Sequence, residues 1–342
     1  MRKALLLAAA SMAVLSGPVF AQSRDHVSVK GSSTVLPFST VMAEQFAKSN
    51  PKFRAPVVES GGSSAGLKEF CKGVGANTID IANSSRPIKS SEVDECKKNG
   101  VGEIMEIKIG YDGIVFAVNS KNPAMNGFKL TTKQIYLALA AQVPVNGKLA
   151  TNPYKKWKDV DPSLPDAEII AFIPGEKHGT REVFEEKTMA EGCKEFAEVK
   201  ALDEKARHQA CVRVRKDGAT VDIDGDYTET LARISQQQNG VGVFGLSFYE
   251  NNRDKIAVAT VNGIQPTLAT IAKGEYPVSR PLFIYVKKAH MGAISGLKEF
   301  VDFSLSPAMI GPNGAAVKKG LIPMPNPEAQ AVRAAIKAGK VL

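Results

Sequence analysis

Apolar positions change period several times along this chain, and the changes mark out its elements. "DHVSVKG" alternates polar and apolar residues up to Gly31, the two-residue period of a half-buried strand. Behind it Phe38, Val41, Met42 and Phe46 recur at i, i+3, i+4 and i+8, which predicts a helix closed by Asn50-Pro51. "FRAPVVES" predicts a second strand, and "GGSSAG" leads into a helix carrying Leu67, Phe70 and Cys71. "NTIDIANSSRPIKSSEVDEC" predicts strand, polar loop and a helix capped by Ser90 or Ser91. After Gly110, "YDGIVFAVNS" reads as a strand, and the stretch around Trp157, "AAQVPVNGKLATNPYKKWKDVDPSLPDAE", as an irregular surface segment. "AEIIAFI" predicts a strand and "REVFEEKTMAEGC" a helix with Val183, Phe184 and Met189 apolar. "NGVGVFGLSFYENN", "KIAVATVNG" and "PVSRPLFIYVKK" read as strands, followed by helices over 292–304 and 327–338. Short strands trading places with helices predict an α/β fold with parallel neighbours in its sheet.

The amino terminus follows a different logic. Arg2 and Lys3 precede an uncharged apolar stretch from Ala4 to Leu15, Gly17 and Pro18 break it, and Val19-Phe20-Ala21 offers a small-residue cleavage site. This predicts a secretory signal peptide cut after Ala21, too short to span a bilayer and without a cysteine near the cut to take a lipid. The length of 342 residues suits two domains after that cut. A net charge of +9 suits an anionic ligand or surface, or serves solubility alone. Lys and Arg are scattered without interleaved aromatics, which argues against nucleic acid as a partner. Cys71, Cys96, Cys193 and Cys211 allow three disulfide pairings in an oxidising compartment, of which proximity favours Cys71 with Cys96 and Cys193 with Cys211. No Cys-x-x-Cys occurs and His26, His178, His208 and His290 lack ligand spacing, so neither metal nor cofactor is expected.

Four junctions share one design, a strand end followed by small or hydroxyl residues and then a helix. They are Gly31-Ser32-Ser33-Thr34, Gly61-Gly62-Ser63-Ser64, Asn83-Ser84-Ser85-Arg86 and Lys177-His178-Gly179-Thr180. Helix N-termini carry unpaired N–H groups and partial positive charge, and in an open α/β sheet such loops gather at the carboxyl ends of the strands. Taken singly, each loop is an ordinary cap. Four together, two with an adjoining cation in Arg86 and Lys177, suit a tetrahedral dianion. There is no Walker signature, so this is not a nucleotide loop.

"GSSTVLP", "GGSSAGLKEFCKG", "IDIANSSRPI", "HGTREVF" and "GEYPVSRPLFIYVKK" run in that order over the whole mature chain. In that combination the chain resembles the phosphate-binding protein of bacterial phosphate ABC importers, a periplasmic receptor of the PstS type. The resemblance implies a two-lobed periplasmic-binding-protein fold of type II, with two crossover strands near "YDGIVFAVN" and "YPVSRPLFIYV". Lobe one would then be 22–114 plus 283–342 and lobe two 115–282. It also implies inorganic phosphate as ligand, a membrane permease as partner and a monomer that does no chemistry. The ligand set carried over is Ser33 and Thr34 with the N–H of Val35, then Ser63, Ser85 with Arg86, and Gly179 with Thr180. His178 could donate to the anion, Arg181 is either a ligand or a solvated first-turn side chain, and Arg280 is expected to be a hinge ion-pair partner.

Many members have an acidic residue at the place of Ser85, which accepts the proton of hydrogen phosphate, and many have Gly-Ser-Gly-Thr with an arginine upstream where this chain reads Lys177-His178-Gly179-Thr180. Without that acceptor, selectivity against sulfate needs another carboxylate, and Glu59, Asp112 and Glu176 are placed in sequence to supply it. The rival readings are a receptor for sulfate, molybdate or a phosphonate, and a secreted hydrolase with Ser33, Ser63 or Ser85 as nucleophile and His178 as base. The hydrolase lacks a Gly-x-Ser-x-Gly elbow.

Overall fold

The structure is a computed structural model that describes residues 24–342 apart from 124, 126, 177 and 226. The leader expected over residues 1–21 and the Lys177 side chain lie outside the described residues.

The three amino-terminal units form as their periodicity predicts. Strands β1 (Ser28–Gly31), β2 (Val57–Ser60) and β3 (Ile81–Ser84) lie in parallel, with Val29 of β1 in register between Val58 and Ile81. Helix α1 (Leu36–Ser49) buries Phe38, Val41, Met42 and Phe46, the stripe with helical spacing. Helix α2 (Ser63–Phe70) buries Leu67 and Phe70. Helix α3 (Ser90–Lys98) begins one residue away from expectation: its cap is Lys89, whose N–H donates to Glu92 Oε2 at 2.9 Å. A carboxylate at the third helical position can reach back to that N–H, so Ser90 and Ser91 fall in the first turn. The Cys71–Cys96 disulfide ties the end of α2 to α3.

Strand β4 (Ile104–Asn119) starts well before "YDGIVFAVNS" and runs 16 residues, because pairing partners exist along all of it. The second half carries β5 (Ala171–Pro174), β6 (Thr220–Ile223), β7 (Val241–Gly245) and β8 (Ile256–Val258), and the chain returns through β9 (Ser279–Lys287). The sheet order is β2-β1-β3-β9-β4-β7-β5-β6, with β8 also on β4. Strand β9 runs antiparallel to β3 and β4, pairing with β4 from Ile104 to Gly113, while β7 takes β4 from Ile114 to Ala117. Strand β4 therefore pairs in both half-sheets, and its ladder with β9 shifts register between Leu282 and Phe283.

Two expectations are corrected here. "LSFYE" is not a continuation of its strand: α6 (Leu246–Glu250) turns off after Gly245, with Phe248 stacked 5.3 Å from Phe244 and Asn252 Nδ2 bonded to the Phe248 carbonyl. It follows α5 (Tyr227–Gln236), and α4 (Gly179–Phe184) precedes both in the chain, running on through a π-helical turn, Glu185–Met189, to Ala190–Cys193. The stretch around Trp157 is not merely surface, since Trp157 is fully buried and meets Phe128 edge-on at 5.0 Å beside a hairpin of Gln142–Val145 and Lys148–Thr151. Cys193 pairs with Cys211 in this half. The carboxyl-terminal helices Leu297–Ser304 and Asn326–Lys337 return to the first half, with Phe300 against Phe46 of α1. No described helix is long and apolar enough to cross a membrane.

Candidate functional site

Parallel pairing brings the ends of β1, β2 and β3 together, and backbone contacts lock their loops. The N–H groups of Gly61 and Gly62 both donate to the Gly31 carbonyl at 2.9 Å, and Ser32 N–H donates to the Asn83 carbonyl at 2.9 Å. Gly31 must be glycine: its φ is +149° and a Cβ there would stand 2.2 Å from the Asn83 oxygen. Ser63 Oγ lies 3.1 Å from Ser85 Oγ and also accepts from Ser85 N–H at 3.1 Å. Val35 is the buried residue before α1, where N–H groups have no intrahelical acceptor.

The opposite wall comes from the end of β5. Thr34 Oγ1 reaches across to the Gly179 carbonyl at 3.1 Å and to Glu182 Oε2 at 3.2 Å. A Cβ on Gly179 would stand 2.5 Å from the Thr34 Cα, so the glycine permits this approach. A second contact joins the two walls where Ser247 Oγ donates to the Gly320 carbonyl at 3.1 Å.

The expected residues fall into two adjoining cavities. Ser33, Thr34, His178, Gly179 and Thr180 line one of about 360 Å³, together with Asp112 and Tyr227. Ser63, Ser85 and Arg86 line another of about 320 Å³, with Glu182 and Glu186. The Thr34–Glu182 contact joins the two.

The charged groups distribute unlike the sequence-based expectation. Arg86 gives Nη1 and Nη2 to the two oxygens of Glu92 at 2.9 and 2.8 Å, and Nη2 also to Ser64 Oγ at 2.9 Å, an arrangement that pushes its pKa up. Arg181 is buried rather than solvated: its guanidinium is held by Glu185, Asp222 and the Pro174 carbonyl, and it lines neither cavity. His178 is half-buried with Nε2 3.1 Å from the Asp224 carbonyl, and because a carbonyl only accepts, Nε2 carries the hydrogen. Arg280, in register with Asp112 across β9 and β4, is 3% exposed and donates Nη2 to Thr34 Oγ1 at 2.7 Å. It is the expected ion-pair partner, with Glu182 and Glu186, and through Thr34 and Glu182 it touches residues that line both cavities.

Of the three carboxylates placed in sequence to act as acceptor, Asp112 alone lines the cleft. Glu59 is exposed and paired with Lys30 at 3.2 Å, and Glu176 is exposed. Asp112 is 5% exposed, and its Oδ2 has no partner among the described residues. Burial pushes its carboxyl above the usual range, against the opposing pull of Arg280. Tyr227, which the sequence reading missed, is hydrogen-bonded to Thr180, and burial raises its phenol. Its only signal in the sequence was an aromatic at the start of a helical stripe. Arg280 left a clearer one, as the lone cation between apolar residues in "PVSRPLFIYV". No group of His, Cys, Asp and Glu able to hold a metal occurs among the described residues.

Known proteins share this architecture. A profile for the PBP superfamily domain matches residues 19–308. Protein SphX of Synechococcus elongatus is 30% identical over 334 residues, 95% of this chain and 86% of that protein. The phosphate-binding protein PstS of Staphylococcus haemolyticus is 31% identical over 284 residues, 81% of this chain and 75% of that protein. A structure described as a possible phosphate binding protein from Planctomyces limnophilus superposes with a TM-score of 0.70 at 25% identity, over 93% of this chain and 99% of that one. An ABC-type phosphate transport receptor from Vibrio cholerae has a TM-score of 0.59 at 22% identity, a likeness of fold alone.

Proposed function

The chain belongs to the PBP superfamily and, within it, to the PstS family of phosphate-binding proteins, and from that premise we propose that it is an exported receptor capturing inorganic phosphate between its lobes. It works in the periplasm as a monomer, after cleavage behind Ala21, and hands the anion to the membrane permease of an ABC importer. The lobes are 22–114 with 283–342, and 115–282. The observation that carries the reading is the meeting of Thr34 and Gly179 across a cleft lined by hydroxyls and first-turn N–H groups. Ser33, Thr34, the Val35 N–H, His178, Gly179 and Thr180 supply donors around the cavity, and Ser63 and Ser85 join them as the anion draws the loops together. Arg86 stands outside this set because Glu92 already takes both its terminal nitrogens. Donors from both walls bind one ligand only when the walls meet, so the anion shifts the open and closed populations by its differential affinity.

Asp112 supplies the acceptor that Ser85 cannot. Hydrogen phosphate can give a proton to the unpaired Oδ2, whereas sulfate has none and would face a buried, uncompensated carboxylate. The hydrolase reading fares worse, because His178 spends its Nε2 hydrogen on a backbone carbonyl and bonds to no serine among the described residues. Isothermal titration of the purified chain tests the proposal: inorganic phosphate binds at micromolar concentration or tighter, and a large excess of sulfate does not displace it. A flat phosphate titration removes the reading, and equal competition by sulfate converts it to a general oxyanion receptor.

A further inference from the structure

Three arginines stand at or beside the strand-to-helix loops, and among the described residues only Arg280 has a buried guanidinium nitrogen without a partner. Arg86 is held through Nη1 and Nη2 by Glu92, Ser64 and the Pro87 carbonyl, and Arg181 through Nε and Nη1 by Glu185, Asp222 and the Pro174 carbonyl. Arg280 is buried, yet its Nε has no partner among the described residues, and a native fold normally relieves an orphaned buried donor. Its Nη2, on the same edge of the guanidinium as Nε, touches Thr34 Oγ1 at 2.7 Å and Glu182 Oε2 at 3.4 Å. That edge is a fork for two oxygens of one anion, and it is half used.

The Glu182 carboxylate completes the picture. Its Oε2 accepts from Thr34 Oγ1 and from Arg280 Nη2, one donor from a first-lobe loop and one from a crossover strand. It also lines the cavity of Ser63 and Ser85, so it stands between the two donor sets that one anion would bridge. Its side chain is 30% exposed, which leaves it room to swing toward water. Glu186 holds Nη1 at 2.9 Å, on the far side of the guanidinium from that fork.

We propose that Arg280 is the cation that neutralises the bound oxyanion, and that the Glu182 carboxylate holds the anion's place until the anion displaces it. The inference rests on reading the cleft as an oxyanion site. On entry, the hydrogen bonds from Thr34 and Arg280 pass from Glu182 to the ligand, Nε gains its acceptor, and Glu186 keeps Nη1. Glu182 leaves because two negative groups cannot share donors at hydrogen-bonding distance in a desolvated site. Arg86, the sequence-based candidate for this charge, lines the cavity of Ser63 and Ser85 but is not given the role because Glu92 already takes both its terminal nitrogens.

The test is titration of inorganic phosphate into the full chain and three variants. Arg280→Lys keeps the charge and loses the fork, so binding weakens by about 30-fold or more. Glu182→Gln removes the competing charge, so binding tightens by about 3- to 10-fold. Arg86→Ala stays within about threefold of the parent protein, as expected for a side chain whose partner is not the ligand. Phosphate affinity of Arg280→Lys equal to the parent's overturns the proposal, as does weaker binding by Glu182→Gln, which would make Glu182 a positioning residue for Arg280. Where Arg280→Lys fails to fold, the part-exposed Glu182→Gln decides alone, its melting curve serving as the folding control. Failure of the parent protein to bind phosphate would instead remove the underlying reading of the cleft.

Discussion

Asp112 shows how burial turns one carboxylate into a selector. With 5% exposure, a place in the cavity wall and an Oδ2 that has no partner among the described residues, it is costly as an anion and free to accept a hydrogen bond. Asp112→Asn should therefore narrow the ratio of phosphate to sulfate affinity by about 10- to 100-fold, because the amide can donate where the carboxylate could only repel. Competition titrations with both anions measure it. The stability of the ligand-free protein should move the other way. A carboxyl whose folded pKa is raised loses stability as pH climbs past the ordinary carboxylate range, so the variant should lose that decline when urea midpoints are compared between pH 4 and 7. Residue type and position nominated Asp112 together with Glu59 and Glu176, and only their surroundings separate the three: one is walled in, one is paired with Lys30, one is in water.

Strand β9 ends on a second buried charge, remote from the cleft. Lys287 is 1% exposed, donates to the Gly73 carbonyl at 2.6 Å and to Thr78 Oγ1 at 2.8 Å, and lies over the Phe70 ring. Burial lowers its pKa to about 8, against the opposing pull of Asp80. An unfolded lysine titrates near about 10.4, so above pH 8 the unfolded chain binds more protons and folding stability rises with pH. The unfolding free energy from urea titrations should climb between about pH 8 and 9.5 with a slope of up to about 1.4 kcal/mol per pH unit, and Lys287→Met should abolish that slope. The strand itself was readable from "PVSRPLFIYVKK", as were α1 and α2 from their apolar stripes. The helix at "LSFYE" was not, because so short a stretch with Leu246, Phe248 and Tyr249 apolar fits either element until Phe248 finds Phe244 and Tyr227.

Capture depends on how closely two walls from distant parts of the chain can meet. Gly179 faces Thr34 with no room for a methyl group, the Cβ position falling 2.5 Å from the Thr34 Cα. Gly179→Ala should crowd Thr34 wherever the two walls meet and so shift the ligand-free population toward lobes that stand apart. It should weaken phosphate binding by about 10- to 100-fold, the scale of an overpacked contact of about 1–3 kcal/mol. Small-angle scattering with phosphate should then show incomplete compaction, whereas full compaction with unaltered affinity would refute the steric account.

Local spacing was enough to determine the three amino-terminal strand-helix units, the α/β class and the hydroxyl-rich junctions, because period and capping act within a turn or two of chain. Proximity was likewise enough to pick the disulfide partners. The folded arrangement alone decided which charges face the cleft. Arg86 and Arg181 each pair with carboxylates, Glu92 for the first and Glu185 and Asp222 for the second, and Arg280 meets Thr34, 246 residues away. An ionic group answers to whatever lies within a few ångströms of it, and across a sheet that neighbour is set by topology, not by position along the chain.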